Sequence, residues 1–265
     1  MNMDCIEHLD DVALYLKSVE PNVILNALTI LTNKKSIKHC REIAELLKKS
    51  EINIKMQALK SLYDIDAVRN VNYFVSCLKD KSETISISAL KYLVTLNSKK
   101  HSKEIAKLLK SDSLNLKVEA LNALVSLSAV EYAHEIANLL NDKDVLVIRY
   151  SICSLGKLDA RKYVDEIGKF LEAQDPFLCQ DALTTVSKLG GRKFIDQIAN
   201  LMGKTNHFGL IYIVNALGNL QATKFEKQIK ELTKHQYDLL SANAKQALES
   251  IKDGKFREPI RQIEK

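Results

Sequence analysis

Few residues of this 265-residue chain have the types and spacing that chemistry requires. His134-Glu135 is its single His–Glu pair, the kind of pair that can contribute to a metal site. The five cysteines stand at positions 5, 40, 77, 153 and 179, and none forms a C-x-x-C pair. This spacing favours reduced thiols over a zinc site or a disulfide framework. No Gly-rich phosphate loop and no G-x-S-x-G nucleophile elbow occurs.

The elements that would position these residues follow an internal repeat of 31 residues. Stepping by 31 from Ala27 gives Ala58, Ala89, Ala120, Ser151, Ala182, Ile213 and Ala244. Stepping by 31 from Leu31 gives Leu62, Leu93, Leu124, Leu155, Val186, Leu217 and Leu248. Eight copies account for residues 4–251 without an insertion, and such a period is typical of stacked repeat proteins.

Each copy contains two apolar stripes with helical spacing and therefore predicts a helical hairpin. Between the stripes lies a column of helix N-cap positions: Glu20, Glu51, Ser82, Ser113, Asp144, Asp175 and Asn206. Pro21 and Pro176 directly follow their caps, where a missing N–H costs nothing. One hairpin cannot bury both stripes alone, so neighbouring copies must stack. The sequence predicts an all-α, right-handed α-solenoid of eight 31-residue helical hairpins, with residues 4–251 as a single domain.

The last copy departs from the pattern, because it carries Glu226, Lys230, Thr233 and Lys245 where earlier copies are apolar. A solenoid must end in a polar face, so this copy is expected to be the C-terminal cap. Asp253-Gly254 predicts a helix stop. Residues 252–265 are then expected to form a charged, loosely held tail.

The repeat also weakens the chemical interpretations. Glu135 shares a column with Glu42, Glu104 and Glu166, whereas the residue before each of them varies. His8, His39 and His101 share another column with Asn70, Tyr132, Tyr163, Phe194 and Phe225. That column indicates packing at a helix start. The cysteines fall on or beside apolar stripes, which indicates small buried side chains. The sequence therefore predicts no catalytic residue, no metal and no cofactor.

The helix ends "SLGKLDA" and "KLGGRK", together with Asp175-Pro176 opening a second helix, resemble the short HEAT-like repeats named after phycobilisome lyases. The resemblance covers nearly the whole chain and implies a scaffold of paired helices, as in many bacterial scaffold proteins. The chain departs from that family in one column. Where the family carries an Arg or Lys ladder, this sequence has Ile24, Lys55, Ser86, Lys117, Ile148, Cys179, Leu210 and Ser241.

The resemblance also implies alternatives that need particular residues. HEAT-like iron hydroxylases use several His–Glu pairs, and this chain has one. HEAT-like DNA glycosylases use an aromatic and acidic pocket in a strongly basic groove, commonly with Trp, and the chain has no Trp. Nothing specific marks a chromophore lyase. A HEAT-like enzyme or nucleic-acid binder with an unrecognised site stays the alternative function.

Composition and charge set the broad class. The net charge of +6 is mild, and the apolar and charged fractions, 46% and 27%, are those of a soluble globular protein. No stretch approaches the ~18 consecutive apolar residues of a membrane span. The start, "MNMDCIEHLDD", is acidic and is not that of a secretory signal or transit peptide. A cytoplasmic protein is expected.

A partner surface is predicted where the second helices of a solenoid line its concave face. The column two residues past the cap reads Asn22, Asn53, Thr84, Asn115, Leu146, Phe177, Phe208 and Leu239. The column four further on reads Asn26, Gln57, Ser88, Glu119, Tyr150, Asp181, Tyr212 and Asn243. The switch to apolar and aromatic types predicts a protein-binding surface in repeats five to seven. Its members are Leu146, Arg149, Tyr150, Phe177, Gln180, Asp181, Phe208, Ile211 and Tyr212.

Two other interpretations remain open. Leu146, Phe177 and Phe208 could instead pack between adjacent repeats. A nucleic-acid groove would use Lys60 and Lys91, with Lys55 and Lys117 as possible additions. Two to four phosphate contacts predict a log–log salt slope of only about −2 to −4. The sequence therefore favours a non-enzymatic scaffold or adaptor that binds a protein partner.

Overall fold

The computed structural model of the protein describes residues 8–49 and 51–262. Over these residues the chain forms sixteen α-helices, with short 3-10 turns at many helix ends, and no β-strand. It divides into two compact units, one up to Ala129 and one from Val130. In each unit, short helices alternate with longer ones.

The first unit contains four short and four long helices among its described residues. In chain order they are α1 (Leu9–Leu14), α2 (Pro21–Asn33), α3 (Cys40–Lys49), α4 (Ile52–Asp66), α5 (Val71–Cys77), α6 (Glu83–Thr95), α7 (Ser102–Ala106) and α8 (Leu114–Ser126).

The second unit repeats the alternation over its described residues. Its helices are α9 (Ala133–Asn138), α10 (Val145–Lys157), α11 (Val164–Gly168), α12 (Pro176–Lys188), α13 (Ile195–Asn200), α14 (His207–Asn219), α15 (Glu226–Leu232) and α16 (Asp238–Asp253). The all-helical prediction is confirmed. The right-handed superhelix, its eight hairpins and the single domain stay predictions.

The long helices begin where the cap column predicts. All seven predicted caps are N-caps in the structure, and Pro21 and Pro176 stand in the first turns of α2 and α12. Side-chain oxygens of four caps accept a first-turn N–H, which satisfies an otherwise unpaired donor. These four are Ser113, Asp144, Asp175 and Asn206. We number positions in each copy by their distance from the cap residue.

The apolar columns form the interiors of both units. Leu31, Leu62, Leu93, Leu124, Leu155, Val186 and Leu217 are 0% exposed. The small-residue column from Ala27 to Ala244 is buried throughout, so it lies at the close contacts of the helices. The predicted stripes are therefore the observed core.

Most long helices end with a left-handed residue at position 15. Positive φ angles occur at Lys35, Asn97, Ser128, Asp159, Gly190 and Gln221. In each case the next residue's N–H bonds a carbonyl five residues back, as Ala129 does with Leu124 at 2.9 Å. This is a Schellman-type helix end. The repeat is thus a repeat of backbone geometry as well as of side chains.

Residues 255–262, expected to be loosely held, are bonded to the preceding helices. α16 ends at Asp253, and Gly254 has a left-handed φ of 70°, which confirms the helix stop. After this turn, Arg257 and Ile260 hydrogen-bond to Asn219 and Asn243, respectively. Asparagine side chains on the helices hold this segment through hydrogen bonds. A hydropathy pattern does not predict such bonds.

None of the helices in the part of the chain that the structure describes has the length and apolar character needed to cross a bilayer.

Candidate partner-binding surface

Three apolar side chains at position 2 of the long helices face solvent. Leu146 of α10 is 44% exposed, Phe177 of α12 is 58% exposed and Phe208 of α14 is 53% exposed. Each lies in the first turn of its helix, directly after a capping residue. The interpretation in which these three residues pack as core between repeats is therefore wrong.

An ion pair and a ring contact connect two of these helices. Nε of Arg149, on α10, lies 2.7 Å from Oδ2 of Asp181, on α12. The Arg149 guanidinium also lies over the Phe177 ring, 5.1 Å from its centroid. This cation–π contact fixes the guanidinium beside the ring, while Tyr150, one residue further on, is 40% exposed. These residues form a connected surface of mixed aromatic and charged character.

Two predicted members of the surface have different environments. Ile211 is only 4% exposed and belongs to the core. Its column, position 5, reads Leu25, Met56, Ile87, Val118, Arg149, Gln180, Ile211 and Ala242, so six of its eight residues are apolar. Arg149 and Gln180 are the exceptions in that column. Tyr212 is half-buried on α14.

A cleft of about 590 Å³ lies beside this surface in the second unit. Gln180 lines it from α12, and Phe208 and Gly209 line it from α14. Pro176 and Cys179 contribute to the same wall. Gln180 and Phe208 therefore line the same cleft, although these residues are 28 positions apart.

The sequence analysis missed an aromatic extension of this surface. The His207 ring lies 4.4 Å from the Phe208 ring and 4.4 Å from the Tyr237 ring, centroid to centroid. The centroids of Phe208 and Tyr237 are 5.6 Å apart, in an edge-on arrangement. The sequence could have indicated this extension, because Tyr237 occupies the cap column one period after Asn206.

No protein-family model and no curated protein matches the chain. The chain does match solved structures. The Escherichia coli protein YibA has a TM-score of 0.63 at 14% identity, over 92% of each chain. The fold is a helical-repeat fold. The CpcE–CpcF complex of phycocyanin lyase from Nostoc matches with a TM-score of 0.43 and 14% identity, over 92% of this chain and 94% of that one. Human deoxyhypusine hydroxylase matches with a TM-score of 0.42 and 11% identity, over 94% and 98%.

The cysteines of this helical-repeat chain have the character of packing residues. Cys40 and Cys77 are buried, Cys153 and Cys179 are half-buried, and Cys5 lies outside the described residues. Burial raises the pKa of all four described thiols, and that of Cys77 and Cys153 to about 11. Because the thiolate is the reactive form, the raised pKa lowers the reactivity of these side chains at neutral pH.

The lysines considered for a nucleic-acid groove are largely engaged within the first unit. Nζ of Lys55 lies 2.7 Å from Oδ2 of Asp80, with both side chains less than one-fifth exposed. Nζ of Lys91 lies 3.9 Å from Oε1 of Glu119. Lys60 is exposed. Each carboxylate reduces the positive charge available for a phosphate backbone.

Proposed function

We propose that this chain is a non-enzymatic scaffold that binds a protein partner through a concave face formed by its long helices. The observation that carries the proposal is the exposure of Leu146, Phe177 and Phe208 at one repeat position. Full burial of such a side chain from water is worth about 1.5–3 kcal/mol, and these three are only about half buried, so a partner that covers them gains part of that free energy. Exposed large apolar side chains at the same position of successive long helices favour an interaction site.

The polar members make the same surface suited to a protein. Arg149 is held by Asp181 and by the Phe177 ring, so little side-chain freedom is lost when a partner covers it. Tyr150 and the His207–Phe208–Tyr237 cluster add aromatic side chains with polar atoms. Aromatic residues and arginine are the types that dominate binding energy at protein interfaces.

The alternative functions predict different ligands. A nucleic-acid binder would need several unpaired cations in one groove, and Lys55 and Lys91 are paired with carboxylates. A HEAT-like enzyme would need a reactive constellation. The cleft beside Phe208 is the place to seek a small-molecule ligand, and its lining includes Glu172, Lys204 and Cys179.

The proposal is tested by affinity capture from nuclease-treated lysate, with three baits. They are the wild type, Tyr150→Ala/Phe177→Ala, and the control Val19→Ala/Val68→Ala, which removes apolar side chains that are 96% and 75% exposed in the first unit. We expect one partner that the wild type and the control bind alike. The first variant should bind it at least about tenfold more weakly in a titration with the purified partner.

Three results would contradict the proposal. Equal binding of the identified partner by all three baits would show that this surface is not the interface. A partner captured from a parallel untreated lysate but not from the nuclease-treated one would favour nucleic acid, and a metal or chromophore that co-purifies with the wild type would favour the enzyme.

A further inference from the structure

Two asparagines hold residues 255–262 by the backbone. Nδ2 of Asn219, on α14, donates to the Arg257 carbonyl at 2.8 Å, and its Oδ1 accepts the Arg257 N–H at 2.9 Å. Nδ2 of Asn243, on α16, donates to the Ile260 carbonyl at 3.0 Å, and its Oδ1 accepts the Ile260 N–H at 2.9 Å. Each amide thus replaces the donor and acceptor that a neighbouring β-strand would offer. Main-chain bonds of this kind contribute affinity, and contacts to the side chains add specificity.

The spacing of the two bonded residues indicates the conformation of the segment. Arg257 and Ile260 are three residues apart, which is the period of a polyproline II chain, and Pro259 between them is buried. The segment forms neither helix nor strand. Nε2 of Gln246 donates to the Glu258 carbonyl at 2.8 Å. Side chains of the long helices therefore bond the backbone of three of the four residues 257–260, and the fourth is the proline, which has no N–H.

Side-chain contacts add selectivity to this backbone recognition. The Arg257 guanidinium bonds both carboxylate oxygens of Asp253, at 2.9 and 2.7 Å, and also the Ser250 hydroxyl at 3.1 Å. Nζ of Lys188 lies 5.9 Å from the centroid of the Phe256 ring. The docked segment reads aromatic, Arg, any residue, Pro, aliphatic, with side-chain contacts at the aromatic residue and the arginine and burial of the proline.

The contacting residues belong to the same stripe of the long helices as the candidate surface. Asn243 is at position 6, Gln246 at position 9, and Asn219, Lys188 and Ser250 at position 13. Position 6 also carries Tyr150, Asp181 and Tyr212. Asn215, at position 9 of α14 and 3% exposed, accepts from Nδ2 of Asn219 at 3.0 Å and so fixes the orientation of that amide.

We propose that this face of α14 and α16 is a binding groove for an extended partner segment of the pattern aromatic–Arg–x–Pro–aliphatic, which residues 256–260 occupy intramolecularly. The inference rests on the proposed function, since it names the class of partner segment. A tethered segment competes at an effective concentration in the millimolar range. The intramolecular segment therefore sets the affinity threshold that a partner must exceed.

The bound state of the segment is tested by amide hydrogen exchange in the full chain. The N–H groups of Arg257 and Ile260 should exchange at least about tenfold more slowly than those of Glu258 and Arg261, after correction for intrinsic rates. Equal rates at all four positions would overturn the proposal, because the two asparagine contacts would then be absent in solution.

Binding in trans is tested with a labelled peptide, Lys-Phe-Arg-Glu-Pro-Ile-Arg-Gln, by fluorescence anisotropy. The wild type should bind it weakly, whereas the opened variant Arg257→Ala/Pro259→Gly should bind it at least about tenfold more tightly. Adding Asn243→Ala to the opened variant should abolish this gain. Adding the control Asn122→Ala, at exposed position 9 of α8, should leave it unchanged. If the Asn243→Ala protein does not fold, Asn219→Ala at a half-buried site replaces it.

The failure of this inference is distinguishable from failure of the proposed function. A folded opened variant that binds no peptide overturns the groove, while partner capture that depends on Phe177 would still support the scaffold. A wild type that dimerises through Asn243 would show that the occupant is a second copy, and would overturn the partner assignment.

Discussion

The two units of the chain use the same repeat positions for different surface chemistry. At position 2 the first unit has Asn22, Asn53, Thr84 and Asn115, and the second unit has Leu146, Phe177, Phe208 and Leu239. Nδ2 of Asn115 donates to Glu83 at 3.1 Å, whereas Phe177 packs against the Arg149 guanidinium. The core columns at positions 7 and 11 keep apolar or small residues in both units. Packing fixes the interior of every copy, and the exposed positions are free to differ.

The largest expected effect tests whether the two cores are equivalent. Leu121 and Leu183 both stand at position 8, and they are 0% and 1% exposed. Leu121→Ala and Leu183→Ala should each lower the free energy of unfolding by about 2–5 kcal/mol, because both lose apolar contacts and leave a cavity. Urea unfolding followed by circular dichroism measures this.

The matched control is Leu146→Ala, whose side chain is 44% exposed and should cost less than about 1 kcal/mol. A core variant that costs no more than this control would show that the column does not pack alike in both units.

The next effect compares one ion pair from each unit, Lys55–Asp80 in the first and Arg149–Asp181 in the second. The Lys55–Asp80 pair is less than one-fifth exposed, and Oδ1 of Asp80 also accepts the Ser82 N–H at 2.8 Å. Partial burial acts to raise the pKa of Asp80, but the bonds from Lys55 and Ser82 outweigh it and the pKa lies below its usual value. Asp80→Asn should therefore cost about 1.5–3 kcal/mol at neutral pH.

The sign of the pH dependence follows from that lowered pKa. The carboxylate contributes full stability above its unfolded pKa of about 3.9, and this contribution is lost as the pH falls through the folded pKa. The stability difference between wild type and Asp80→Asn should be constant from pH 7 to about 5 and should shrink below about 4. Asp181→Asn, in the more exposed pair of the second unit, should cost about 0–1 kcal/mol. A difference for Asp80→Asn that does not change with pH would contradict the assignment.

The sequence predicted the helices and their caps because the period of 31 aligns eight independent samples of each position. Ser113 and Asp175 could be assigned as caps because each heads the same apolar pattern. The exposure of Phe177 could not be decided, since an apolar residue at the first turn suits both a core and an interface. Ile211 was misplaced because its neighbours in the column, Arg149 and Gln180, are polar.

The sequence contains no pattern that predicts the contacts of residues 255–262. Asn219 and Asn243 stand at different repeat positions, and they bond main-chain atoms that every residue has. The sequence of the segment therefore does not encode these contacts. Recognition through the backbone becomes visible only when the fold brings α14, α16 and the segment together.

The smallest expected effect on stability concerns position 12 of the long helices, where the two units carry residues of different size. The first unit has Thr32, Tyr63, Val94 and Val125 there, and the second unit has Gly156, Ser187, Gly218 and Glu249. A Cβ on Gly218 would lie 2.6 Å from Cα of Ala247, which is backbone of α16. A Cβ on Gly156 would lie 2.9 Å from the Cγ2 methyl of Thr185, which is a side-chain atom rather than backbone.

Two opposing terms decide the outcome of adding a methyl group at these glycines. Alanine gains about 1 kcal/mol over glycine inside a helix, and overpacking costs about 1–3 kcal/mol. Gly218→Ala should lower the free energy of unfolding by about 1–2 kcal/mol, because a backbone atom cannot move away without shifting α16. Gly156→Ala should change it by less than about 0.5 kcal/mol, because the propensity gain offsets a longer contact that is made with a side-chain methyl and not with backbone. Urea unfolding of both variants measures the difference. Equal costs would show that α14 and α16 have room between them. They would also contradict the view that small residues in the second unit allow a closer approach of its helices.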